Sequence, residues 1–184
     1  MKAVVFVDVQ NDFVKGGKLA FGYPTEDNLQ KIIDFAKECV DAYCNDSTTL
    51  VRIYATRDTH DAKYMKTLEG QKLPVEHCVE GTNGWQIVDP LMEVLLGKAT
   101  FINKPTFGSY DLADIIEEDI DGTLDEIVIC GYDLAICIIS NALLLRAKYP
   151  NAKITIKKDL CGCISEETFN AALCVAKCCQ IDIK

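Results

Sequence analysis

The feature that most constrains the fold is an alternation. Short, continuous apolar runs of strand length take turns with longer segments whose apolar residues recur at helical spacing. Repeats of that kind are strand-helix units laid on a parallel sheet. The first strand reads Ala3 to Val7 and ends at Asp8. A helix is expected from about Thr25, which serves as its cap, with Leu29, Ile32, Ile33, Ala36 and Val40 along one face. Further strands are read at Leu50 to Ala55, Ala99 to Ile102, Glu126 to Cys130 and Lys153 to Ile156. Helices are read at Ile87 to Leu96, Tyr110 to Ile120, Ile136 to Tyr149 and Phe169 to Cys179, the last led by Ser165, Glu166 and Glu167. Ile181 to Ile183 adds a sixth strand at the edge. The pattern predicts one α/β domain over residues 1–184, built on a mostly parallel, roughly six-stranded, doubly wound sheet. A polar loop from Arg57 to Gly84 holds both histidines of the chain. Loops of that length in a compact domain are functional or disordered.

Charge narrows the partners. With 28 acidic against 19 basic residues, the net charge of -9 repels phosphate backbones and anionic headgroups. A small molecule is expected as partner, and neither nucleic acid nor a membrane. No apolar run approaches the roughly 20 residues of a membrane helix. Met1 to Asp8 lacks the basic lead and small-residue cleavage site of a signal peptide. The expected location is the cytoplasm, where the ten cysteines stay reduced. Cys161 with Cys163, and Cys178 with Cys179, lack the paired two-residue spacing of a zinc ribbon or finger.

Ligands of a doubly wound sheet sit at the carboxyl ends of its strands. Three reactive residues fall there: Asp8 closes strand one, Lys104 follows strand three, and Cys137 opens the helix after strand four. A thiol at a helix N-terminus near an ammonium has a lowered pKa, so Cys137 is expected to be largely thiolate. Asp8 can take or return a proton, as amide cleavage requires. The backbone N–H groups from Asp133 to Cys137 are candidates to hold an oxyanion, worth roughly 3 kcal/mol per donor. Taken singly, an Asp at a strand end is a turn residue, a Lys a solvated charge and a Cys a small apolar side chain. Position, not residue type, singles these three out.

A second constellation is Asp58 and His60, two apart at a strand end and so on one side in extended geometry, with His77 downstream in the same loop. One carboxylate and two imidazoles suit a divalent transition metal: zinc, or else iron or manganese. The plainer reading, two surface histidines in a loop, stands beside it.

In chain order, Val7-Asp8-Val9-Gln10-Asn11-Asp12-Phe13, Thr56-Arg57-Asp58-Thr59-His60, His77-Cys78-Val79-Glu80-Gly81-Thr82 and Gly131-Tyr132-Asp133-Leu134-Ala135-Ile136-Cys137 resemble the nicotinamidase branch of the isochorismatase-like cysteine hydrolases. Lys104, within Lys104-Pro105-Thr106-Phe107-Gly108-Ser109-Tyr110, matches that family's lysine. The resemblance implies a three-layer αβα sandwich and hydrolysis of the C–N bond of a small amide through a thioester. Asp8, Lys104 and Cys137 would be catalytic, and Asp58, His60 and His77 would hold the metal. It also implies a homo-oligomer and a cis peptide between Tyr132 and Asp133. Phe13 matches a family pocket aromatic, and Tyr64 is expected on the opposite wall. The chain departs from the pattern where Ala135 replaces an aspartate two before the cysteine, and where Leu73 and Pro74 replace a tryptophan near the second histidine. Two other readings compete. One is an isochorismatase-type hydrolase of a non-amide substrate, although members with that activity lack the cysteine. The other is a non-catalytic thiol or metal-binding protein built on Cys161, Cys163, Cys178 and Cys179.

Overall fold

A computed structural model describes residues 1–24, 28–45, 50–120 and 122–184. Its strands are β1 (Lys2–Val7), β2 (Val51–Asp58), β3 (Ala99–Lys104), β4 (Glu126–Gly131), β5 (Lys153–Cys161) and β6 (Asp182–Ile183). Its helices are α1 (Leu29–Asn45), α2 (Leu68–Lys72), α3 (Asp89–Leu95), α4 (Tyr110–Asp119), α5 (Ile139–Lys148) and α6 (Glu166–Cys178). The strands form one sheet in the order β3-β2-β1-β4-β5-β6, with every pairing parallel. Chain order runs outward from β1 in both directions, so the crevice of the doubly wound fold opens beside β1 and β4, beyond their carboxyl ends. No helix among the described residues is long and apolar enough to cross a membrane.

The period of two along β1 divides the core. Val5 and Val7 pack into a cluster with Leu112, Ile116, Leu145 and Phe169, whereas Val4 and Phe6 pack into a second with Ile32, Ala36, Leu91 and Leu95. Thus α4, α5 and α6 cover one face of the sheet, α1 and α3 cover the other, and three layers result. Each Val, Leu, Ile or Phe among them taken from water stabilises the fold by roughly 1.5–3 kcal/mol.

The expected elements are present, with shifted ends. β2 and β3 run on to Asp58 and Lys104, because their ladder continues to that pair. The cap expected at Thr25 lies outside the described residues; the helix itself begins at Leu29. Inside the long polar loop, sequence reading overlooked a 3-10 turn at Tyr64–Lys66 and α2, whose Thr67 side chain accepts the N–H of Gly70. The helix after β4 opens with a π-type turn at Leu134–Ile138 before α5. Such turns recur at functional sites.

Gly131 makes the exit from β4 possible. Its φ of 120° lies in a region side chains avoid, and a Cβ there would collide with the Val7 carbonyl. Gly97, with φ 71°, has nothing within 4 Å of a built Cβ. Gly131→Ala should therefore cost about 3 kcal/mol or more, a fall of roughly 6–12 °C in Tm, and Gly97→Ala only about 1 kcal/mol. Thermal unfolding followed by circular dichroism measures both; equal losses would refute the collision.

Candidate active site

Asp8, Asp58, Lys104 and Cys137 meet at the carboxyl ends of the central strands. Asp8 leaves β1 with φ 51°, a left-handed conformation that Asp tolerates. Its N–H donates to the Thr56 carbonyl at 3.2 Å, and the Thr56 hydroxyl donates to Asp8 Oδ1 at 2.6 Å. Lys104 is 1% exposed. Its Nζ lies 2.6 Å from Asp8 Oδ2, 3.6 Å from Asp58 Oδ1 and 3.5 Å from Cys137 Sγ, and it donates to the Thr106 carbonyl at 3.1 Å. Asn141 fixes the sulfur's backbone by donating to the Cys137 carbonyl at 2.7 Å, while its Oδ1 accepts the Ser109 N–H.

The metal-type donors lie alongside. Asp58 Oδ2 is 3.0 Å from His60 Nε2 and 3.3 Å from His77 Nε2. One ligand atom from each of the three falls within 4.8 Å of the others, the sole group of this kind found among the described residues. The Val75 carbonyl, 2.8 Å from His77 Nδ1, turns that ring's Nε2 toward Asp58. The donor set and its convergence fit a divalent transition metal. Glu69 was missed in the sequence; its Oε1 stands 3.8 Å from both Nε2 atoms. Lying on a helical turn between the two histidines, it carries no spacing that marks it.

Gln10 and Asp12, quoted above only as part of a motif, brace this arrangement. Gln10 accepts the Asp58 N–H through Oε1 at 2.7 Å and donates through Nε2 to the Asp58 and Trp85 carbonyls. Asp12 Oδ2 accepts the Cys78 N–H at 2.8 Å, next to His77. A cavity of about 850 Å³ opens over both groups, with Cys137, Asp58, His60, His77 and Phe13 in its wall. Phe13 stacks on Phe21, ring centroids 5.3 Å apart.

A family model of the isochorismatase domain matches residues 2–181. The chain belongs to the isochorismatase family. Solved structures share the family fold over essentially their whole length. The pyrazinamidase of Pyrococcus horikoshii in complex with zinc is 25% identical, with 100% of this chain and 98% of that chain covered and a TM-score of 0.77. The nicotinamidase from Bacillus subtilis is 21% identical, with 99% and 98% covered and a TM-score of 0.77. The pyrazinamidase/nicotinamidase from Streptococcus mutans is 22% identical, with 100% of both covered and a TM-score of 0.78. No curated protein matches the chain in sequence.

Against this isochorismatase-family frame, three expectations need correction. Tyr64 is fully buried behind the imidazoles, its ring 4.6 Å from that of His60 and 5.0 Å from that of His77, and its hydroxyl donates to the Leu73 carbonyl. It supports the donors and cannot touch a ligand in the cavity. The cis peptide expected between Tyr132 and Asp133 is not there: among the described residues the cis bond precedes Pro24, and positive φ at Gly131 turns the chain after β4. Cys137 is not predisposed to be thiolate. Burial pushes its pKa well above the ordinary thiol value; Lys104 pulls it down, but Asp8 and Asp58 push it up again. Burial likewise raises Asp8, against the attraction of Lys104. One buried cation thus faces Asp8, Asp58 and Cys137 together.

Cys161 and Cys163 are fully buried, Cys178 is exposed, and they join no convergent donor group among the described residues. Asp133 caps the π-type turn, its carboxylate accepting the N–H groups of Ala135 and Ile164. The N–H groups of Leu134 and Ile136 bond to the carbonyls of Gly162 and Asp133. Oxyanion candidates therefore narrow to the N–H groups of Asp133 and Cys137.

The raised thiol makes a prediction with a sign. Alkylation of Cys137 by iodoacetamide should keep accelerating with pH up to the ordinary thiol value of 9.0, without levelling off near neutrality. Asp8→Asn removes a charge that raises the thiol, so its profile should move to lower pH. Site-resolved mass spectrometry reads both, and a plateau below pH 7 in the unaltered protein would contradict the assignment.

Proposed function

We propose that the protein is a cysteine hydrolase that cleaves the C–N bond of a small amide through a thioester on Cys137. One observation carries the reading: a buried ammonium, Lys104, bridges Asp8 and Cys137, and Cys137 stands in the wall of a cavity. The kinship with nicotinamidases and pyrazinamidases, enzymes named for their amide substrates, supports it.

The proton moves within the triad. As sulfur attacks the carbonyl carbon, the Cys137 proton passes to Asp8, and the backbone N–H groups of Asp133 and Cys137 receive the developing oxyanion. Asp8 returns the proton to the amide nitrogen, the C–N bond breaks, and ammonia leaves. Water then attacks the thioester while Asp8 takes its proton; the C–S bond breaks, sulfur regains the proton, and a carboxylic acid departs. The raised pKa of Asp8 suits a group that must accept and return one proton. Lys104 keeps its charge throughout, because Asp8 holds its pKa high.

Asp58, His60 and His77 would hold a divalent metal, zinc in first place, with Glu69 facing it. When bound, it would fix a ring nitrogen or a water of the substrate complex by Lewis acidity. Phe13 would flank the substrate's flat face. Leu73 stands on the wall where an aromatic is usual, so nicotinamide itself should turn over poorly and another amide should be preferred.

Screening small amides for ammonia release tests the reading. With whichever amide is turned over, Cys137→Ala should abolish release and Asp8→Asn should lower it by orders of magnitude. Near-native activity in Cys137→Ala would end the cysteine-hydrolase reading. Elemental analysis of untagged protein should find one zinc, iron or manganese ion per chain, lost in His77→Ala. Protein free of all three, whose activity does not rise on adding any of them, would remove the metal from the proposal.

A further inference from the structure

Among the described residues eleven large apolar side chains are exposed, and four of them share one cavity mouth. Leu68, Leu73, Phe107 and Ile164 are 69%, 38%, 45% and 58% exposed, and all four line the cavity that holds Cys137. They come from separate segments: α2 and its end, the loop after β3, and the loop after β5. Leaving such side chains in water at one mouth has no structural benefit, since none of them fills the core. Deeper in, the wall continues apolar with Phe13, Phe21 and Ile136.

Size points the same way. Cavities of about 300–1,000 Å³ enclose drug-sized ligands. At about 850 Å³, this one is far larger than a single-ring amide requires. A one-ring substrate would leave the collar wet and its apolar area unused.

Building on the amidase reading, we infer that the substrate is a primary amide whose acyl part is an extended apolar body, reaching from Cys137 out to the collar of Leu68, Leu73, Phe107 and Ile164. Because ammonia is the leaving group in that reading, the acyl side is what must fill the cavity. The collar is the part of the molecule that sets substrate length.

A homologous series of straight-chain primary amides, from acetamide to octanamide, tests this with nicotinamide as the one-ring reference. The value of kcat/KM should rise about fourfold per methylene, the factor supplied by burying one such group, until the collar is covered. Octanamide should exceed nicotinamide. In the double variant Leu68→Asn, Phe107→Asn, the ratio of octanamide to acetamide should fall about tenfold. The same series is titrated calorimetrically onto Cys137→Ala, which reads the cavity without turnover. Affinity rising with length there, with no hydrolysis by the unaltered protein, would uphold the apolar ligand and sink the amidase reading. Cys137-dependent hydrolysis with a flat length profile would keep the amidase and overturn the collar. If the double variant instead turns an oligomer into a monomer in sedimentation and leaves the ratio unchanged, the collar is a subunit contact and the inference is wrong.

Discussion

A buried ammonium is the constraint on which the site depends. Stripping water from the Lys104 charge costs several kcal/mol, and among the described residues the carboxylates of Asp8 and Asp58, the Thr106 carbonyl and the Cys137 sulfur stand ready to offset it. None of these partners is near Lys104 in sequence except Thr106. They meet because the ladders put Asp58 opposite Lys104 and Val7 opposite Thr56. A slip of one residue in either register would turn the side chains to the other face of the sheet and leave the charge without its partners.

The same charge sets the chemistry. With one cation among three acids, burial raises the pKa values of both Asp8 and Cys137 against the attraction of Lys104. An exposed cysteine of this chain, such as Cys174, has no such neighbourhood. In the proposed reaction, catalytic capacity belongs to the ensemble of buried groups and not to the thiol alone.

The segment from Asp8 to Phe13 links that ensemble to the metal-type donors. Asp8 faces Lys104, Gln10 grips the backbone of Asp58, Asp12 holds the N–H of Cys78 beside His77, and Phe13 stands in the cavity wall. A loop with little regular structure is thereby held against the sheet by hydrogen bonds from side chains of the segment that follows β1. Trp85 adds to this, donating to the Thr59 hydroxyl while the Arg57 guanidinium lies 4.2 Å over its ring.

By itself the sequence determined the order and type of the main elements outside the long polar loop, the parallel sheet, and the placing of Asp8, Asp58 and Lys104 at strand ends and of Cys137 at the start of the helix after β4. Hydrophobic periodicity is a local property, written in consecutive residues, and the motifs around these positions are contiguous. What only the tertiary structure decided is what those residues experience. Whether Cys137 is charged follows from burial and from carboxylates more than 75 positions away. Tyr64 stands behind the histidines because a turn in the loop folds it there, and Glu69 joins them for the same reason. The apolar collar arises from segments that meet only in the folded chain. Electric field, exposure and cavity shape are sums over everything nearby in space, and no window of sequence contains those sums.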